Sequence, residues 1–116
     1  MTVERKDGRL PPRKSPTPPQ HPAVDELDLF QVLHAMSDPT RMRIVQTLAV
    51  DPERACGTFP VDVAPSTLTH HFKVLREAGL VVQRPDGVRR WTSLRADDLQ
   101  ARFPGLLTTI LDNAPA

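Results

Sequence analysis

The sequence holds a single cysteine, Cys56, which excludes an internal disulfide framework. It also lacks any apolar run approaching the roughly 18 residues of a membrane-spanning helix, and its N-terminus lacks the apolar stretch of a signal peptide. We therefore expect a cytoplasmic protein with no membrane partner. The sequence shows no nucleophile–base pair, glycine-rich phosphate loop, paired carboxylates or metal-ligand cluster. It accordingly predicts a protein that is not an enzyme, with no catalytic residue, no cofactor and no metal site.

Proline is distributed unevenly along the chain. Six of the 13 prolines fall before residue 24, where five lysine and arginine side chains also lie. Such a stretch cannot propagate a helix or build a core. Residues 1–23 are therefore predicted to form a flexible basic arm. With 39% hydrophobic residues the chain can build one globular domain, which we place at residues 24–113, followed by a tail over residues 114–116.

The net charge of +1 conceals an alternation along the chain. Residues 1–24 carry five basic and two acidic side chains, and residues 66–95 carry six basic and two acidic side chains. Residues 25–65 and 96–116 are both net acidic. Two basic segments in a nearly neutral chain are typical either of a surface that binds a polyanion or of ordinary solvated faces.

Apolar periodicity and capping signals predict that most of the domain is helical. Asp38-Pro39 and Asp51-Pro52 each place an N-cap aspartate before a proline at the first helical position. Gly79 is a suitable residue to follow a helix C-terminus, and Pro104 is expected to kink or restart the last helix. The predicted helices span Asp25–Met36, Pro39 to about Val50, Pro52 to about Thr58, Pro65–Ala78 and Asp97–Asn113.

A hairpin is predicted between the last two helices. The dipeptide Asp86-Gly87 lies between the β-type runs Val81–Arg84 and Val88–Leu94, a pattern that favours a tight turn. The element order is then helix, helix, helix, helix, hairpin, helix. This order predicts a mainly α protein with a small β-hairpin, a winged helix-turn-helix whose outer helices are available for pairing.

The outer helices predict a homodimer. Apolar residues of the first helix cover roughly 220° of its surface, which is wider than the stripe that one core requires. A second apolar side needs a second partner, and in a small protein another subunit is suitable. The last helix adds a leucine-rich stripe. The predicted dimer interface comprises Leu27, Phe30, Leu33, Phe103, Leu107, Ile110 and Leu111.

The helix over about 65–78 and the hairpin over about 81–95 predict contact with double-stranded DNA. In a helix-turn-helix the second helix presents its N-terminal residues to base edges in the major groove. Small hydroxyls lead the polar face of this helix, and longer polar side chains follow. Arginines on a hairpin suit phosphate or minor-groove contacts. The predicted contact residues are Ser66, Thr67, Thr69, His70, Lys73, Arg84, Arg89 and Arg90.

The adjacent histidines His70 and His71 could suggest a metal site. Neighbouring helical residues point about 100° apart, so the two imidazoles cannot readily converge on one ion. His71 lies at the edge of the apolar stripe, and we interpret it as a packed or phosphate-contacting residue.

Two stretches resemble the ArsR family of transcriptional repressors, Ala35–Leu48 (AMSDPTRMRIVQTL) and Pro65–Val81 (PSTLTHHFKVLREAGLV), and Asp86–Leu94 is similar to the family's Gly-x-Arg-x-Trp/Tyr wing. The resemblance covers about residues 25–112. It implies a winged-helix homodimer, joined through its first and last helices, that represses transcription at an imperfect inverted repeat. It also implies release by an inducer, often a metal ion. It assigns DNA recognition to Ser66, Thr67, Thr69, His70 and His71, and the wing contacts to Arg89 and Arg90.

The sequence departs from this family at the sensor. Many metal-responsive relatives carry a Cys-x-Cys pair on the helix that here includes Cys56, and one thiolate cannot form a three- or four-ligand soft-metal site. Other relatives use ligands on the last helix, but Asp97–Asn113 holds no histidine. We therefore predict regulation that does not depend on a metal. The sequence leaves three possibilities for the inducer: a small molecule, a protein effector or no inducer.

Two alternatives stay open in the sequence. Cys56 is either a redox-sensitive thiol or a small buried hydrophobe. The alternative function is a winged-helix protein-interaction module without specific DNA binding. Such a module would present exposed apolar residues where this sequence places the basic wing.

Overall fold

The computed structural model describes residues 21–115 and confirms the predicted fold class, a mainly α winged helix-turn-helix. The predicted basic arm lies outside the described residues except for residues 21–23. Within residues 21–115 the helices are α1 (Leu29–Met36), α2 (Pro39–Val50), α3 (Pro65–Ala78), α4 (Ala96–Arg102) and α5 (Leu106–Asn113). The strands β1 (Glu53–Ala55), β2 (Val81–Asp86) and β3 (Arg89–Leu94) form one antiparallel sheet in the order β1-β3-β2.

Aspartate caps fix the beginnings of α1 and α2. The Asp28 carboxylate accepts a hydrogen bond from the Phe30 N–H over 3.2 Å, and Asp38 accepts one from the Arg41 N–H over 3.0 Å. The first helix begins later than predicted, because Val24–Glu26 forms a separate 3-10 turn and Leu27 is extended. Leu27 is also only 2% exposed and belongs to the core of its own protomer. It is therefore removed from the predicted dimer surface, since a residue buried in one protomer cannot contact a second.

The predicted helix from Pro52 to about Thr58 is wrong. Glu53–Ala55 is strand β1, and Cys56–Thr58 is a 3-10 turn. The local start signal is overridden because the backbone of β1 pairs with β3, with Glu53 opposite Ser93. Asp51, the predicted cap, instead accepts a hydrogen bond from the Arg54 side chain over 2.9 Å.

The recognition helix and the hairpin form where the sequence predicts them. Helix α3 spans Pro65–Ala78 and ends at Gly79, whose φ of +86° is left-handed. A Cβ at Gly79 would lie 2.0 Å from the Leu27 Cδ2, so both backbone conformation and packing require glycine there. The last predicted helix restarts after Pro104 as α5, which confirms the interruption.

The core lies between α1, α2, α3 and the base of the sheet. Ile44 and Val45 of α2 and Leu75 of α3 are fully buried in it, and Leu80 and Val81 extend it into the wing. Helix α5 covers one side of this core with half-buried leucine and isoleucine side chains. The polar side chains Ser66, Thr67, His70 and Lys73 of α3 are exposed, and Thr69 lines a cleft that separates α3 from the wing.

Candidate nucleic-acid interface

The outward face of α3 carries the predicted recognition residues. All of the following are exposed: Ser66, Thr67, Thr69, His70 and Lys73. Phe72 and Leu75 point the other way and are 4% and 0% exposed. The N-cap residue of α3, Ala64, has a side chain that cannot accept a hydrogen bond from the first turn. The positive end of the helix dipole and the small hydroxyls of Ser66 and Thr67 therefore lie together at the beginning of the helix. This end of the helix can accept a phosphate or approach a base edge.

The wing carries three exposed arginines with different surroundings. Arg84 lies 3.3 Å from the Glu53 carboxylate of β1, so part of its charge is neutralised within the protomer. Arg89 and Arg90 follow the turn at Gly87 and make no ion pair with the acidic side chains of residues 21–115. The wing cations with the most charge to offer a polyanion are therefore Arg89 and Arg90.

A cleft of about 410 Å³ separates α3 from the wing. Leu68 and Thr69 of α3 line one side, and Arg89 and Arg90 line the other. Cys56 also lines the cleft and is half-buried. The cleft thus has Arg89 and Arg90 on the wing side, and of the predicted recognition residues of α3 Thr69 lines it, together with Pro65, Leu68 and Phe72.

His71, predicted as a DNA contact, is buried within the protomer. Its side chain is turned away from the exposed face of α3, and its Nδ1 lies 3.2 Å from the Arg41 Nη1 and 3.9 Å from an Asp38 carboxylate oxygen. The prediction for His71 is corrected because a residue adjacent to His70 on a helix points about 100° away from it. The packed interpretation of His71, also considered from the sequence, fits this position.

The carboxylate of Asp38 joins the same cluster. Burial by itself raises its pKa, but the hydrogen bond from the Arg41 N–H and the positive charge of Arg41 outweigh that effect, so the pKa of Asp38 lies below its usual value. Asp38 therefore caps α2 as a carboxylate next to the guanidinium of Arg41.

Gln83 connects the wing to α3, a role that the sequence analysis missed. It is 3% exposed, and its Oε1 accepts a hydrogen bond from the Arg76 Nη1 over 2.7 Å. Its Nε2 lies 3.2 Å from both the Thr92 Oγ1 and the Cys56 Sγ. Strand alternation could have placed Gln83 on the inward face of β2 beside the buried Val81, but the identity of its partners depends on tertiary packing.

The last residues of the predicted arm contact the edge of the wing. His21 is half-buried, and its Nε2 accepts a hydrogen bond from the Gln83 N–H over 2.9 Å. Burial lowers the pKa of His21 below its ordinary value, and the nearby charges of Arg76 and Arg95 lower it further. The predicted flexible arm is therefore corrected at its C-terminal end, because residue 21 is held by the outer edge of β2.

An apolar surface on α1 has no partner within the described protomer. Phe30 is 78% exposed, while Leu29 and Leu33 are 39% and 41% exposed. The predicted interface residues near the C-terminus are all half-buried: Phe103, Leu107, Ile110 and Leu111. These side chains fill the protomer only in part, which leaves apolar area available for a further contact.

Within residues 21–115, no three metal-ligating side chains come together in one place. None of the helices in the described part of the chain has the length and hydropathy to span a bilayer.

The chain is similar in sequence to known transcriptional regulators and similar in fold to solved structures. Residues 36–84 match the family model of a helix-turn-helix domain. The chain is 40% identical over 83 residues to the uncharacterised HTH-type transcriptional regulator YceK of Bacillus subtilis (strain 168), covering 69% of this chain and 83% of that protein. It is 36% identical over 81 residues to the inferred arsenical resistance operon repressor ArsR of Halobacterium salinarum, covering 64% of this chain and 61% of that protein. The solved structure of NolR from Sinorhizobium fredii matches with a TM-score of 0.56 at 31% identity, over 73% of this chain and 85% of that one.

Proposed function

Because this chain belongs to the ArsR family of winged helix-turn-helix transcriptional regulators, we propose that it is a homodimeric, metal-independent repressor that binds an inverted-repeat operator. Proteins of this class bind DNA and are not enzymes. One observation carries the proposal. Thr69 of α3 lines the same open cleft as Arg89 and Arg90, which make no ion pair within residues 21–115, and Ser66, Thr67, His70 and Lys73 are exposed on the same helix.

The recognition mode follows from that arrangement. Helix α3 enters the major groove with its N-terminal end leading, and Ser66, Thr67 and Thr69 contact phosphates or base edges. His70 and Lys73 reach further along the groove. Arg89 and Arg90 contact the DNA backbone or the adjacent minor groove, and they supply a large part of the salt-dependent affinity.

The proposed dimer joins the apolar surfaces of the outer helices. Phe30 and Leu33 of α1 contribute exposed side chains that a partner would cover. Phe103, Leu107, Ile110 and Leu111 contribute the half-buried surface near the C-terminus. A two-fold dimer places two α3 helices about one DNA turn or more apart, which is why an inverted repeat is the expected operator. Occupancy of such a site represses transcription by blocking the polymerase.

Metal independence is supported by the sensor residues. The chain has one cysteine, whereas soft-metal sites use several thiolate or imidazole ligands. The Cys56 Sγ lies within hydrogen-bond distance of the Thr92 Oγ1, at 3.3 Å. This contact is suited to a structural thiol. We therefore expect repression to be insensitive to arsenite and zinc.

The test is a fluorescence-anisotropy titration of the protein against DNA upstream of its own operon, with a scrambled duplex as control. We expect a preference of about a thousandfold or more for the upstream duplex at physiological salt, with two subunits bound per site. Repeating the titration with arsenite or zinc should leave the affinity unchanged. Equal, weak binding to both duplexes that disappears with salt would overturn the repressor proposal and favour the protein-interaction module.

A further inference from the structure

A buried guanidinium lies where α1, α2 and α3 meet. Arg41 is only 8% exposed, and its Nε donates a hydrogen bond to the Ala35 carbonyl over 2.8 Å. Its Nη2 contacts the His34 carbonyl at 3.4 Å. Both carbonyls belong to the last turn of α1, where the negative end of the helix dipole favours a cation. Two nitrogens of the Arg41 guanidinium, Nε and Nη2, therefore contact α1, and the third, Nη1, faces α3.

That nitrogen contacts His71. The Arg41 Nη1 and the His71 Nδ1 are 3.2 Å apart, and both residues are buried. Arginine has five N–H donors and no acceptor, so the contact requires a lone pair on Nδ1. The proton of the neutral ring must then lie on Nε2. The Asp38 carboxylate oxygen lies 3.9 Å from Nδ1, beyond hydrogen-bond distance, so Arg41 is the nearer partner and the expected tautomer of His71 carries its proton on Nε2.

This hydrogen bond differs in kind from the apolar contacts that hold the same part of α3. Phe72 and Leu75 anchor the helix through apolar packing, which fixes its distance from the core but is not directional. A hydrogen bond weakens steeply as its angle departs from linear. The Arg41–His71 contact therefore restrains the rotation of α3 about its own axis, and the neighbouring residues of the exposed face turn with it.

We propose that His71 is a positioning residue for DNA recognition that acts through Arg41 and does not contact DNA. This proposal rests on the proposed function, since it concerns how α3 presents Ser66, Thr67, Thr69 and His70 to an operator. The two adjacent histidines then have separate roles. His70 faces the DNA, and His71 faces the protein interior and sets the angle at which His70 is presented.

The first measurement uses DNA-free protein and does not depend on an operator. Long-range ¹H–¹⁵N correlation spectra of the histidine side chains report which ring nitrogen carries the proton. We expect His71 to show an unprotonated Nδ1 and a protonated Nε2. A spectrum in which the His71 proton lies on Nδ1 would overturn the proposal, because the Arg41 Nη1 would then have no acceptor on His71.

The second measurement uses His71 variants that keep a polar group at the position of either Nδ1 or Nε2, but not at both. In His71→Asn the amide oxygen lies close to the position of Nδ1, so Arg41 retains an acceptor. In His71→Gln the amide extends to the position of Nε2, so a group able to reach DNA is retained instead. His71→Leu removes both, and His70→Asn is the matched control on the exposed face.

We expect His71→Asn to retain operator preference within about threefold of wild type, and His71→Gln and His71→Leu to lose roughly tenfold, the scale of one buried hydrogen bond. Backbone amide shifts of α3 in the DNA-free protein should change in His71→Leu and stay near wild type in His71→Asn. If His71→Gln retains binding while His71→Asn loses it, His71 contacts DNA itself and the proposal is wrong. Should the wild type prefer no duplex, the repressor proposal fails, while the tautomer and the amide shifts still decide the role of His71.

Discussion

The Arg76 Nη1 of α3 donates a 2.7 Å hydrogen bond to the Gln83 Oε1 of the wing. The same glutamine lies 3.2 Å from the Thr92 Oγ1, on the neighbouring strand β3. A single buried side chain thus links α3 to the wing, the two elements that flank the cleft. Arg41 and His71 restrain α3 toward its middle, and Arg76 and Gln83 restrain it near its C-terminal end.

The Arg76–Gln83 contact predicts a measurable coupling energy. Gln83→Leu leaves Arg76 without its acceptor and Thr92 without this donor, so we expect the free energy of unfolding to fall by about 1–3 kcal/mol. Urea denaturation of Gln83→Leu, Arg76→Met and the double variant completes a double-mutant cycle. A coupling of about 0.5 kcal/mol or more is expected, whereas strictly additive effects would show that the contact contributes nothing.

The wing arginines predict the salt dependence of DNA binding. Replacing Arg89 and Arg90 together with alanine should weaken binding to operator and scrambled DNA alike. Loss of two phosphate contacts should also reduce the log–log salt slope by about 2. Arg84→Ala is the matched control, because Arg84 is paired with Glu53 and should have a smaller effect. Wild-type affinity and slope in the double variant would show that the wing does not contact DNA.

On the exposed face of α3, we expect His70 to determine the preference for operator DNA and Lys73 to contribute affinity for any duplex. His70→Ala should reduce the preference for operator over scrambled DNA by about tenfold or more, the loss expected for one base-edge contact. Lys73→Ala should weaken binding to both duplexes by a similar factor, as a phosphate contact does. Anisotropy titrations of both variants against both duplexes make the comparison. The assignment of His70 is contradicted if its variant loses affinity equally for the two duplexes.

The contact between His21 and Gln83 predicts a pH dependence. In the unfolded chain the ring titrates near its ordinary pKa of 6.5, and in the folded chain burial and the charges of Arg76 and Arg95 lower that pKa. The unfolded state therefore binds more protons between the two values, so this contribution to stability is present above about pH 6.5 and is lost as the pH falls. Amide hydrogen exchange at Gln83 should accelerate between pH 7 and pH 5, after correction for intrinsic rates. In His21→Ala the protection should be low throughout and show no such step.

The apolar surface of α1 predicts the oligomeric state. Phe30→Glu places a charge on a surface that the proposed dimer buries, so the variant should sediment as a monomer at micromolar concentration where the wild type is a dimer. Val50→Glu is the matched control, since Val50 is 86% exposed and lies at the end of α2, away from α1. Equal dissociation by both substitutions would argue against an interface through α1.

Elements with strong local signals were predictable from the sequence. Pro65 at the first position of α3 and Gly79 after its end bound the recognition helix, and both act through their own backbone conformations. Asp86-Gly87 marks the hairpin for the same reason. The outward position of His70 followed from helical periodicity alone.

Strand β1 shows where this reasoning fails. Asp51-Pro52 carries the same start signal as Asp38-Pro39, yet only the latter begins a helix. The difference comes from β3, which lies about 40 residues further along the chain and pairs with Glu53–Ala55. A local capping preference of about 1 kcal/mol is outweighed by the backbone hydrogen bonds and packing that the sheet provides.

Capping, turn conformation and helical periodicity are properties of neighbouring residues. The family, the elements with local signals and the outward residues of α3 and the wing could therefore be predicted from the sequence. The burial of Leu27 in the core, the contact of His71 with Arg41 and the connection that Gln83 makes between the wing and α3 depend instead on tertiary packing. These relations join residues between 7 and 52 positions apart along the chain. The role of a buried polar side chain depends on the partner that tertiary packing places next to it. The residues adjacent to it in the sequence do not predict that partner.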